Sequence, residues 1–224
     1  MSNKLEYIER FNNKDKIADY VIIWLHGLGA DYNDFLPIVN EFNFNKSVKF
    51  IFPNAPLRPI TINNGYVMRG WYDIRDFTSL DNNIDQEGIY QSMYLIENLI
   101  QEQIDNGVSP HKILLAGFSQ GGVMSYVTAA LTQYKLGAVI ALSCYLPSAK
   151  VFLEKSQQVN LKTPIFASHG LNDEVVPYHA GVIAKDILKL KGYQIDWHEY
   201  PVGHQMAMEQ VADLNNWIND LSIR

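Results

Sequence analysis

Apolar residues fall into two patterns along the chain. Short continuous runs such as Val21-Ile22-Ile23-Trp24-Leu25 and Ile113-Leu114-Leu115-Ala116 predict strands buried on both faces. Runs of this kind recur near 48–52, 137–143 and 164–168, and 194–199 alternates as a further strand. Between most of them lie stretches of helical period. The clearest is 86–105, where Ile89, Met93, Ile96, Ile100 and Ile104 fall on one face. Others are 120–134, 178–190 and 206–221. Strands alternating with helices predict an α/β fold with a mostly parallel central sheet and helices on both faces. Leu5-Glu6-Tyr7-Ile8 would add an antiparallel edge strand.

Bulk properties narrow the field. A length of 224 residues predicts one domain, 1–224, able to bury a full core without staples. A net charge of −6 argues against broad nucleic-acid binding, which requires a basic stripe. The single Cys144 cannot form an internal disulfide, and the charged start (Lys4, Glu6, Glu9, Arg10) carries no apolar signal segment, so a cytoplasmic protein is expected. Cys144 sits in a strand-like run and reads as a packed thiol rather than a nucleophile. There is no Cys/His cluster with metal spacing and no phosphate-binding glycine loop, so neither metal nor cofactor is expected.

The chemistry begins at Gly117-Phe118-Ser119-Gln120-Gly121, directly after an apolar run and before a helical pattern. This G-x-S-x-G is the sequence form of a nucleophile elbow, in which serine sits on a strained strand-to-helix turn and flanking side chains would crowd the neighbouring elements. A serine hydroxyl needs a base, and the base an orienting acid. In the α/β-hydrolase order these follow the serine. Asp173 lies on the loop after the Pro164–Ser168 strand, and His204 on the loop after the 194–199 strand. Glu174 is the rival acid; Asp173 is favoured because the Gly170–Asp173 turn gives the shorter reach. His198 reads as a strand residue, His169 as structural but near the site, and His111 and His179 as surface residues. The oxyanion donors are expected from the N–H of Gln120 and from the His26-Gly27-Leu28-Gly29-Ala30 loop, where glycines leave the Leu28 N–H free. Asp31 would cap a helix over DYNDFLPIVNEF.

HGLGAD, NAPLRPIT with GWYDI, GFSQGG, ALSCYLP, HGLNDEVVP and the late Gly203-His204 run in one order from about residue 20 to 205. Together they resemble the carboxylesterase/acyl-protein thioesterase family of α/β-hydrolases. The resemblance implies Ser119, Asp173 and His204 as a catalytic triad, Leu28 and Gln120 as the oxyanion hole, and hydrolysis of esters or thioesters of short to medium acyl chains. Lysophospholipids are a further substrate class. A non-catalytic binding module on the same fold is the alternative from another class.

The connection over 53–84 has no clear period. It carries Pro53, Pro56 and Pro59, an Asn63-Asn64-Gly65 turn, and apolar residues including Ile60, Ile62, Val67, Met68 and Trp71. It is expected to form a flap, with Gly65 and Gly70 as hinges, or else a packed loop. The family resemblance implies Trp71 and Ile74 as substrate-binding residues, with Leu28, Tyr145 and Val175 on the opposite side. Transient contact of the flap with a membrane surface follows from its apolar content. Monomer and homodimer are both compatible with the sequence.

Overall fold

The computed structural model describes residues 4–14, 18–75, 83–148 and 154–221. Seven strands form one sheet: β1 (Tyr7–Phe11), β2 (Tyr20–Leu25), β3 (Val48–Pro53), β6 (Ile113–Phe118), β7 (Ala138–Leu142), β8 (Pro164–Gly170) and β9 (Gln194–Tyr200). Their order across the sheet is β1-β3-β2-β6-β7-β8-β9. Only β1 runs antiparallel, pairing Tyr7 with Pro53 and Phe11 with Lys49; the rest are parallel.

The continuous apolar runs are explained by cover on both faces. Alternate residues of β2 go opposite ways. Val21, Ile23 and Leu25 join Leu115, Val139 and Ile165 under α1 (Gln86–Asp105) and α2 (Gln120–Leu131), whose Ile96, Ile100, Val123 and Val127 complete that layer. The next helix, α3 (Tyr178–Leu190), puts Ala180, Ala184 and Leu188 on the same face. Ile22 and Trp24 face the other way, with Phe50, Leu114, Ile140 and Phe166. That layer is covered by Val211, Leu214 and Ile218 of α4 (Met208–Asp220) and by Phe35 and Phe42.

Two segments differ from the sequence reading. DYNDFLPIVNEF does not form an α-helix. Asp31 Oδ1 accepts from the Asn33 N–H (2.7 Å), and only Leu36–Glu41 coils, as a 3₁₀-helix with Pro37 in its first turn. The aperiodic connection is in part a β-hairpin, β4 (Leu57–Ile60) against β5 (Tyr66–Arg69), with Ile60 opposite Tyr66. Asn64 (φ 55°) and Gly65 (φ 76°) supply the left-handed turn. The Asp73 carboxylate ties the turn down, accepting from the Thr61 N–H (2.7 Å) and hydroxyl (2.6 Å). Leu57, Tyr66 and Val67 are exposed on the hairpin, while Ile60 is fully buried. Residues 76–82 of the expected flap lie outside the described residues.

Candidate active site

Ser119 lies between β6 and α2 at φ 54°, ψ −121°, a conformation that disfavours any residue with a Cβ by roughly 1–3 kcal/mol. The neighbours over-determine it. The Ser119 N–H donates to the Leu142 carbonyl (2.8 Å), and its own carbonyl accepts from the Val123 N–H (3.1 Å). The flanking glycines are steric necessities: a Cβ on Gly117 would stand 2.2 Å from the Gly121 backbone, and one on Gly121 would stand 2.2 Å from the Leu25 carbonyl oxygen. Helix α2 therefore lies directly on the ends of β2 and β6.

Asp173 and His204 come from two loops that touch. Leu171 N–H donates to the Tyr200 carbonyl (2.8 Å) and Asn172 N–H to the Val202 carbonyl (3.0 Å). Gly170 lacks a side chain because a Cβ there would meet the Gly203 carbonyl oxygen at 2.4 Å. This juncture brings His204 to Asp173. His204 Nδ1–H donates to Asp173 Oδ2 at 2.7 Å, and the other carboxylate oxygen accepts from the Val175 (2.9 Å) and Val176 (2.8 Å) N–H groups. The Asp173 side chain is fully enclosed, whereas that of His204 is 16% exposed and lies against the Phe118 ring (4.8 Å between centroids). With Nδ1 donating to Asp173, the neutral imidazole of His204 leaves Nε2 as an acceptor. The neighbouring Glu174 is exposed.

His169 is structural in the way the sequence suggests. It is buried, its Nε2–H donates to the Val176 carbonyl (2.8 Å), and its ring fills the space a Cβ on Gly181 would need. Burial lowers its pKa, which favours the neutral ring, and its bond to Val176 braces the Asp173 loop. His198 lies in β9 stacked on Phe166 (4.4 Å), and His179 is exposed. Cys144 is a packed thiol whose pKa burial pushes far up, and a Cβ on Gly122 would stand 2.9 Å from its sulfur.

On the opposite side, His26 organises the loop after β2. Its Nε2 accepts from the Ala55 N–H (3.0 Å), so the ring proton is on Nδ1, which donates to the Gly27 carbonyl (2.7 Å). Burial lowers the His26 pKa as well. Beyond it Gly29 turns at φ 76°, and Leu28 stands half-buried between two glycines. Gln120 opens α2, so its N–H is one of the first four that lack an intrahelical acceptor.

Ser119, Gln120, Leu28 and His204 line one cavity of about 330 Å³. Its walls include Ile74, Tyr145 and Val175, as the family resemblance implies, and also Ile62, Tyr72 and Phe118. Trp71 is the exception. It is fully buried away from the cavity, with its indole N–H donating to the His26 carbonyl (2.9 Å), and Tyr72 takes the wall position. The chain bends at both residues, and the sequence did not set which of the two aromatics faces in. The Tyr72 and Tyr145 hydroxyls bond to each other (2.9 Å). A larger groove of about 540 Å³ between Leu5, Pro56, Arg58 and Tyr94 contains none of Ser119, Asp173 and His204.

A mostly parallel sheet with a serine elbow at the end of one strand, and an acid–histidine pair on the loops of two later strands, defines a serine hydrolase of the α/β-hydrolase fold. Residues 7–222 match the phospholipase/carboxylesterase family, and the chain belongs to that family. It is 39% identical to acyl-protein thioesterase 1 of Debaryomyces hansenii, over 92% of this chain and 93% of that one. It is 37% identical to acyl-protein thioesterase 1 of Yarrowia lipolytica, over 89% and 90%. The crystal structure of Arabidopsis thaliana SOBER1 superposes with a TM-score of 0.81 at 29% identity, covering 89% of this chain and 97% of that one.

Proposed function

We propose that the protein is a single-domain serine carboxylesterase that cleaves short- to medium-chain esters through an acyl-enzyme on Ser119. The observation that carries this reading is the 2.7 Å Asp173–His204 bond, with His204 sharing the cavity of the elbow serine. His204 Nε2 takes the Ser119 hydroxyl proton as Oγ bonds to the carbonyl carbon. The carbonyl oxygen becomes an oxyanion held by the Leu28 and Gln120 N–H groups. The C–O bond to the alcohol then breaks, and the alcohol leaves with the His204 proton. Water gives its proton to His204, attacks the acyl-serine, and Ser119 departs reprotonated with release of the acid. Asp173 holds the imidazole tautomer throughout. No cofactor takes part.

The cavity volume lies at the lower end of the ~300–1,000 Å³ typical of ligand sites, which supports acyl chains of modest length. A second reading, hydrolysis of acyl-protein thioesters or lysophospholipids by the same triad, is supported by the thioesterase relatives and by apolar exposure at the cavity rim. Ile62 is 36% and Val175 50% exposed there, and Tyr66 and Val67 on the hairpin would suit brief contact with a lipid surface. Cytoplasmic residence belongs to the same proposal. It is supported by the lone buried cysteine, and no helix among the described residues is long and apolar enough to cross a membrane. Fluorophosphonate should label Ser119, and Ser119→Ala should lose ~10³-fold or more of ester turnover. An unlabelled wild type, or an active Ser119→Ala, refutes the mechanism. A panel of p-nitrophenyl esters, acyl thioesters and lysophospholipids then ranks the substrate classes.

A further inference from the structure

The segment leaving β5, Arg69-Gly70-Trp71-Tyr72, grips both loops that carry the proposed oxyanion donors. On one side the Arg69 carbonyl accepts from the N–H of Gly29, next to Leu28, at 2.8 Å, and the Trp71 indole holds the His26 carbonyl at 2.9 Å. On the other side the buried Gln120 carboxamide is clamped twice. Its Oε1 accepts from the Trp71 backbone N–H (2.7 Å), and its Nε2 donates to the Tyr72 carbonyl (2.8 Å). The junction is tight: a Cβ on Gly70 would lie 3.0 Å from Leu28 Cδ1 and 3.6 Å from Gln120 Oε1.

We propose that the Gln120 carboxamide is a positioning residue. It ties the first turn of α2 to the strap that also fixes the Leu28 loop, and so sets the spacing of the two oxyanion N–H groups. The inference rests on the acyl-transfer reading of Ser119. Glutamine suits the place because one planar group supplies both the acceptor that Trp71 needs and the donor that Tyr72 needs. An oxyanion site works through donors fixed before charge develops, so loosening one arm weakens the transition state more than the bound substrate. The side chain acts through the backbone and touches no reacting atom.

Gln120→Met keeps the bulk and removes both bonds. Its kcat for p-nitrophenyl butyrate should fall ~10- to 100-fold with KM within about threefold, less than the ~10²–10³ of a deleted donor. Affinity for an alkyl trifluoromethyl ketone, whose serine adduct carries the oxyanion, should fall by the same factor as kcat/KM. Gln120→Glu provides a second readout. When ionised it accepts from Trp71 but opposes the Tyr72 carbonyl; when protonated it restores both bonds. The ratio of its kcat to wild type should therefore climb at least about fivefold from about pH 8 to about pH 5.5. Wild-type kcat and ketone affinity in Gln120→Met, or a flat Gln120→Glu ratio, would overturn the positioning role, and the ratio decides alone if Gln120→Met does not fold. Fluorophosphonate labelling of wild-type Ser119 is the control. Its absence refutes the acyl-transfer mechanism, whereas normal labelling with unperturbed variants refutes only the clamp.

Discussion

Asp173→Asn is the sharpest test of the acid, because the structure dictates how the new amide would sit. Oδ1 accepts from two backbone N–H groups, those of Val175 and Val176 at 2.9 and 2.8 Å. Only an oxygen can stay there; turning an NH₂ toward two donors would forfeit both bonds in a fully enclosed site, at ~1–3 kcal/mol for each unsatisfied group. The amide nitrogen must then occupy the Oδ2 position, 2.7 Å from His204 Nδ1. Two donors cannot face each other, so the imidazole proton moves to Nε2, where a base for Ser119 is required. Such a tautomer error in a serine triad costs about 10⁴ in kcat, about 5 kcal/mol of transition-state stabilisation. The shape and the two backbone bonds survive, so the melting temperature should stay near wild type. Ester turnover and thermal unfolding measured on the same preparations check both halves. Glu174→Gln, at an exposed position, should change neither. An Asp173→Asn enzyme with more than about a tenth of wild-type kcat would refute the tautomer argument.

Four further outcomes follow from the geometry. Gly121→Ala would force a Cβ to within 2.2 Å of the Leu25 carbonyl, so it should destabilise by ~3 kcal/mol or more and lower the melting temperature by roughly 6–12 °C or prevent soluble expression. Ile74→Ala should lower the octanoyl-to-acetyl preference about 3- to 10-fold, read from kcat/KM on p-nitrophenyl esters, since burial of each methylene is worth up to ~0.8 kcal/mol. Trp71→Ala should instead reduce stability by about 3–5 kcal/mol in denaturant titrations, because its ring is wholly in the core. Burial lowers the folded pKa of both His26 and His169. Their contribution to stability is therefore complete above the unfolded value of ~6.5 and is lost as pH falls from there toward the folded values; urea midpoints at about pH 7.5 and 5.5 should show the loss, and His169→Asn should diminish it.

The parts legible in the sequence were those with a strong periodic or steric signal. The strand runs and the helix over 86–105 follow from burial on one or two faces, and the elbow glycines from contacts too close for a Cβ. That Asp173 and His204 would lie close together was also legible, because parallel strands deliver their following loops to one edge of the sheet. What escaped was set by local prolines and by tertiary contact. Pro37 reduced an expected helix to a 3₁₀ turn. The Asn64-Gly65 pair was the available hairpin signal, but Pro59 inside β4 broke the strand pattern before it. Whether Trp71 or Tyr72 faced the cavity was set where the chain bends, by the Trp71 indole on the His26 carbonyl, the Tyr72–Tyr145 hydroxyl pair and the Gln120 carboxamide on the backbone.

That grip also constrains redesign. The stretch that leaves the hairpin carries Tyr72 and Ile74 into the cavity wall while its backbone bonds to Gly29 and to the Gln120 side chain, on either side of the serine. A library aimed at new acyl selectivity there would trade turnover for every change of shape. Ile62 and Val175 are free of that coupling: both are exposed at the mouth, and neither side chain anchors a loop beside Ser119. If the strap sets the oxyanion spacing, selectivity and rate separate at the rim and are coupled at the strap, and variation among related enzymes should be read with that division in mind.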